Sequence, residues 1–158
     1  MNIKSFASVG LCFGLICCAV APAPRQIQNS FPIDKPFDAV WQSVIETFGE
    51  LNLPIMNMEK ASGLITTDWI SFQGQKDEIG YCSCGEAGFP FVEQDRSGRF
   101  NVYVKKISDT ASEIKVNAIF EQFSKDIWSR FGTTTKRHCV STGKLEAEIY
   151  KRVSEKIK

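Results

Sequence analysis

Residues 37–51 place the strongest constraint on how the chain can fold. Phe37, Val40, Trp41, Val44, Ile45, Phe48 and Leu51 fall at offsets 0, 3, 4, 7, 8, 11 and 14, the spacing of one face of an α-helix. Asp38, Gln42, Ser43, Glu46, Thr47 and Glu50 fill the other side. A helix with a single apolar stripe has to bury it against another element. The rest of the chain must therefore offer an apolar face of similar length. Asp34 is the expected N-cap, with Pro36 in the first turn and Asn52 and Pro54 ending the helix.

That face is supplied by period-two segments. Phe100, Val102 and Val104 alternate with Arg99, Asn101, Tyr103 and Lys105, and Ile114, Val116, Ala118 and Phe120 alternate with Glu113, Lys115, Asn117 and Glu121. Joined at Ser108-Asp109-Thr110, they predict an antiparallel hairpin with one buried side. Extended segments at 54–59 and 64–70 flank the turn Lys60-Ala61-Ser62-Gly63. Residues 29–33 read as a short strand that Pro32 confines to an edge. A second amphipathic helix is expected over 143–157, with Leu145, Ile149, Val153 and Ile157 as its stripe and Thr142 or Gly143 as its cap. The resulting expectation is a two-layer α+β domain over 29–158. An antiparallel sheet of about five strands packs against two amphipathic helices, in the order β-α-β-β-β-β-α.

The first 24 residues differ in kind. Lys4 is followed by an apolar stretch from Phe6 to Ala21 and then by alternating Ala and Pro, too short for a spanning helix and suited to a signal-peptide core. Leu15-Ile16-Cys17-Cys18 resembles a lipobox, which implies acylation of Cys18 after removal of 1–17. Cleavage after Ala19-Val20-Ala21 is the alternative, disfavoured by Pro22, and an uncleaved anchor is the third. Residues 18–28 then form a proline-rich tether. Ala19 after the modified cysteine implies, by resemblance to Gram-negative sorting rules, the outer membrane, with the domain facing the periplasm. The whole chain has 19 basic and 18 acidic residues. Loss of Lys4 with the signal segment leaves a mature net charge of zero, which excludes a nucleic-acid partner.

"PFDAVWQSVIETFGELNLPI" followed by "MEKASGLITTDWI", a hairpin and a last amphipathic helix resembles the domain of BamC-like envelope lipoproteins, most clearly over 36–70. The resemblance implies a helix-grip, TATA-binding-protein-like fold and a non-enzymatic accessory or scaffold role in a single-domain branch. This chain departs from the family in having one such domain rather than two, and in its cysteines.

Beyond the signal segment the cysteines are Cys82, Cys84 and Cys139. An odd number in an exported domain points to one disulfide and one leftover thiol. The preferred bridge is Cys84–Cys139, with Cys82 as the competing partner. Cys82, Cys84, His138 and Cys139 are also the raw material of a zinc site, although adjacent ligands at 138 and 139 point apart on an extended chain. A redox role lacks Cys-x-x-Cys at a helix start. His138 is the only histidine and reads as a surface residue, so no catalytic constellation and no cofactor is expected. Tyr81, Phe89, Phe91, Trp128 and Phe131 fall in loop-like stretches. They either fill a secondary core near the disulfide or stay exposed as a contact patch. The leading function is a membrane-anchored scaffold that binds an envelope protein. The alternative is a carrier of a small apolar ligand or lipid in a groove between helix and sheet. Replacing Cys18 by Ala is expected to abolish palmitate incorporation and membrane sedimentation, since no second anchor follows it. A variant that is still labelled and still sediments would refute the lipobox.

Overall fold

The computed structural model describes residues 21–72 and 78–157. The signal segment and Cys18 lie outside the described residues. In chain order the elements are β1 (Ser30–Ile33), α1 (Phe37–Glu50), β2 (Ile55–Glu59), β3 (Leu64–Thr67), β4 (Ile70–Ser71), a 3₁₀ turn (Glu78–Tyr81), β5 (Cys82–Ser83), β6 (Phe91–Lys106), β7 (Ser112–Asp126), β8 (Thr134–Ser141) and α2 (Lys144–Lys156).

The expected sheet of about five strands is corrected. Among the described residues eight strands form one antiparallel sheet, with the path β2-β3-β6-β7-β8-β5. The fold is dominated by this sheet rather than balanced between a small sheet and two helices. β6 and β7 are 16 and 15 residues long, and each serves two partners along one edge. β3 and then β4 pair with β6, at Leu64–Thr66 and at Ile70–Ser71. β1 pairs with the first part of β7, and β8 with the rest, from Phe120 opposite Cys139 to Lys125 opposite Thr134.

The added strands carry no apolar alternation because of what they face. β8 reads TTKRHCVS, and its inward neighbours on β7 beyond Phe120 are Gln122 and Ser124, both buried. Arg137 lies opposite Gln122 and donates to its side-chain oxygen at 3.2 Å and to the Glu86 carbonyl at 2.7 Å. A bulge between Glu93 and Arg96 further disrupts the period of β6.

The helices lie on the inner face. Val40, Val44 and Phe48 of α1 meet Ile65, Phe100, Val102, Val104, Ile114 and Val116 in one buried cluster, joined by Leu145, Ile149 and Val153 of α2. Phe48 stands edge-on to Phe100, with ring centroids 5.5 Å apart. Phe31 of β1 stacks on Tyr150 of α2 at 4.5 Å. Lys156 of α2 pairs with Glu50 of α1.

Two local expectations change. Pro36, not Asp34, is the N-cap of α1, and its carbonyl accepts from the Ala39 and Val40 amides. Ser43 and Thr47 are buried rather than solvated, because α1 also packs along α2. Their hydroxyls are satisfied by the carbonyls one turn back, Ala39 and Ser43.

Two glycines allow close approaches. Gly63 has φ +70°, and a Cβ there would lie 2.0 Å from the Val104 carbonyl oxygen, so the β2–β3 turn closes onto β6 only with glycine. At Gly98 a Cβ would press on the rings of Phe120 and Phe72, at 2.7 and 2.9 Å. These two rings pack against each other at 6.2 Å.

Trp41 is 4 % exposed and stacks on Phe37. Trp41→Ala should lower unfolding free energy by about 3–5 kcal/mol through lost transfer energy and a cavity. Glu46→Ala, on the solvent side, should change it by less than about 0.5 kcal/mol. Denaturant melts of both variants check this, and equal small effects would contradict the packing of α1 on the sheet.

Candidate functional site

Segment 78–90 starts against α2 and the end of β8 and brings Cys82, Cys84 and Cys139 together. The 3₁₀ turn is tied to the start of α2 twice. Tyr81 O–H donates to Glu148 at 2.5 Å, and Thr142 O–H donates to the Gly80 carbonyl at 2.5 Å. β5 then pairs with the end of β8, Cys82 opposite Ser141 and Ser83 opposite Val140. Because side chains alternate along an extended chain, Cys82 and Cys84 share one side.

Cys84 is bonded to Cys139 across 55 residues of sequence, and Cys82 is a buried free thiol. Cys82 Sγ lies 3.8 Å from Cys84 Sγ, and the three sulfurs lie within 4.8 Å of one another. Burial pushes the Cys82 thiol pKa up, and the Arg96 guanidinium draws it partly back. Cys82 is therefore not the partner of Cys139.

His138 does not join the three sulfurs. It lies opposite Glu121 on β7, one position from Cys139, and successive strand residues face opposite ways. Its ring is largely exposed, with Nδ1 3.8 Å from the Glu121 carboxylate. That carboxylate also accepts a 2.9 Å bond from Lys136. A four-ligand zinc centre of Cys82, Cys84, His138 and Cys139 is thus not assembled.

The five loop aromatics divide. Tyr81 packs edge-on against Phe72, at 6.4 Å, on the margin of the core. Phe91, the first residue of β6, is half-buried. The other three stand out at the far end of the β6–β7–β8 sheet. Phe89 is 59 % exposed, Trp128 70 % and Phe131 97 %. Phe89 meets Trp128 edge to face at 4.7 Å. Ile127 beside them is 52 % exposed and was not singled out from sequence. The signal was its place in Ile127-Trp128-Ser129-Arg130-Phe131, three bulky apolar residues in five, between the polar end of β7 and β8. The loop is set by the Gly132 amide donating to the Ser129 carbonyl and by a 2.8 Å Ser129–Thr133 hydroxyl contact.

On the opposite end, Lys60, Gly63, Tyr103, Lys105, Lys106 and Lys115 border an open depression. Lys60 is paired with Asp38 and Lys106 with Asp109, so two of its cations are engaged by neighbouring carboxylates. No helix among the described residues is long and apolar enough to cross a membrane. No protein-family model matches the chain, and no curated protein was found to match it.

Hydrogen bonds from Tyr81 and then Arg152 hold the Glu148 carboxyl below the usual carboxylate range. A depressed native pKa stabilises the fold above the unfolded value, and this contribution disappears as pH falls through the native one. Tyr81→Phe should therefore lower stability by about 1 kcal/mol at pH 7 and by progressively less as pH falls through the lowered native pKa, below which the carboxylate is protonated in both states. Urea melts across that range test it. A loss that does not change with pH would contradict the pairing.

Proposed function

We propose that this chain is a lipid-anchored, non-enzymatic accessory protein of the cell envelope that docks onto a protein partner through the tip formed by Phe89, Ile127, Trp128 and Phe131. The observation that carries the reading is the exposure of these four bulky side chains together on adjoining loops. A folded domain gains by burying such residues, and a contiguous exposed set marks a contact surface. Trp, Phe and a neighbouring Arg, here Arg130, are also the side chains that dominate binding energy at protein interfaces.

The position of the tether supports a protein partner over the anchoring membrane. Ile27 packs beside Gly143 at the head of α2, next to the end of β8. The eight residues of β8 separate this point from the tip by roughly 25 Å. The tip thus points away from the place where the N-terminal segment meets the domain. Acylation of Cys18, an outer-membrane location and kinship with BamC-like lipoproteins belong to the same proposal, and all three rest on sequence features of 1–24 and 36–70.

The scaffold reading is favoured over the carrier by how the helix–sheet interface is filled. Val40, Val44, Phe48, Ile65, Val102 and Val116 are all 0 % exposed between α1 and the sheet, so side chains occupy the space an apolar ligand would need.

A photo-crosslinking residue at position 131, in the full chain expressed in intact cells, should yield one discrete protein adduct. The same residue at Lys151 on α2 should not. Trp128→Ala should weaken the interaction by about 2 kcal/mol or more, roughly thirtyfold, and reduce the adduct accordingly. Adducts to lipid alone, or a protein adduct indifferent to Trp128, would refute a protein-docking tip.

A further inference from the structure

The free thiol of Cys82 has one feature that packing does not require. Buried unpaired cysteines commonly act as small apolar side chains. Cys82, however, is placed with its sulfur 3.8 Å from one sulfur of an existing disulfide, with all three sulfurs inside 4.8 Å. The backbone enforces this placement. β5 is registered on β8 at Cys82–Ser141, the Thr142 amide donates to the Tyr81 carbonyl, and the Cys84–Cys139 bond fixes the other side. Thiol–disulfide exchange needs a thiolate next to a disulfide sulfur and a leaving thiol that can depart. Here the nucleophile is pre-positioned, and Cys139, half-buried at the margin of the core, is the group that leaves.

We propose that Cys82, Cys84 and Cys139 form an intramolecular thiol–disulfide exchange centre, in which Cys82 Sγ attacks Cys84 Sγ and releases Cys139. The Cys82–Cys84 bond forms as the Cys84–Cys139 bond breaks, and the electron pair of the broken bond leaves on Cys139 Sγ. The proton given up by Cys82 goes to water, and the Cys139 thiolate takes one back. One disulfide and one thiol are present before and after, so no external oxidant or reductant takes part. Attack falls on Cys84 because its sulfur lies 3.8 Å from Cys82 Sγ.

The exchange has a structural consequence. The Cys84–Cys139 bond is the covalent tie between segment 84–90 and β8, whereas a Cys82–Cys84 bond closes within two residues of one strand. Switching between them removes the covalent tie of the segment that carries Phe89 and leaves it held by the Arg137 bond to the Glu86 carbonyl. Burial of the Cys82 thiol disfavours the thiolate, which slows the attack.

The test uses the full chain exported to an oxidising compartment, purified without reductant and held natively at pH 8. Samples are quenched in acid at intervals, alkylated under denaturing conditions and peptide-mapped by mass spectrometry. The expected result is first-order growth of a Cys82–Cys84-linked peptide together with alkylated Cys139, at a rate independent of protein concentration. In Cys139→Ser, the remaining pair should oxidise to Cys82–Cys84. In Cys82→Ser, Cys84–Cys139 should persist with no thiol at any of the three positions. Four results would each overturn the proposal: alkylation at Cys82 alone throughout; a Cys82–Cys139 link with Cys84 alkylated; a rate that scales with protein concentration; or two free thiols in Cys139→Ser. The mapping of the unsubstituted chain decides the matter even if a variant does not fold.

Discussion

The pairing of β6 with β7 runs from Phe91 opposite Asp126 to Lys106 opposite Ser112, interrupted by one bulge. β1, β3, β4 and β8 are registered directly on one of these two strands, and β2 and β5 on the strands beside them. A 16-residue strand extends up to roughly 50 Å, whereas helices of 14 and 13 residues cover only about 20 Å each. The helical layer therefore cannot cover the whole hairpin. One part of the inner face receives α1 and α2 and becomes a dry apolar core. The other runs past the helices and has to be completed by something else.

This mismatch also explains which parts were legible in the sequence. α1 and the helix-facing parts of β6 and β7 are buried on one face only, so their apolar residues recur at 3.6 and at 2. That is why Phe37–Leu51, Phe100–Val104 and Ile114–Phe120 announced themselves. Past Phe120 the inner residues are Gln122, Ser124 and Arg137, of which Arg137 bonds to Gln122 and to the Glu86 carbonyl, and no apolar rhythm marks them. β8 and the first part of β6 were consequently missed, and with them the true width of the sheet. β4 and β5, two residues each, are too short to show any period.

The site residues follow the same division. That two of Cys82, Cys84 and Cys139 should bond could be argued from their number, but the choice between Cys82 and Cys84 depends on register. β5 sets Cys82 opposite Ser141, and Cys84 reaches Cys139 from one step beyond the pairing. The separation of His138 from the cysteines was accessible in advance, since neighbours on a strand face apart. The fate of the loop aromatics was not. Tyr81 goes to the core margin because the 3₁₀ turn is fastened to Thr142 and Glu148, contacts between residues more than 60 positions apart. Phe131 goes to solvent because its loop folds on itself at Ser129–Thr133.

Where β8 leads into α2, covalent and polar links add to what burial does. Closing a loop of 55 residues with a disulfide restrains the unfolded chain by roughly 4 kcal/mol in the loop-entropy model. That is comparable to burying about two large apolar side chains. Arg137 adds bonds to Gln122 and to the Glu86 carbonyl, which fasten segment 84–90 over the sheet. With segment 84–90 held by the disulfide and by Arg137, and the core complete around α1 and α2, Phe89, Trp128 and Phe131 are not needed to fill it and stay at the surface. Core and disulfide meet at Phe120, whose inner side packs on Phe72 while its β8 partner is Cys139.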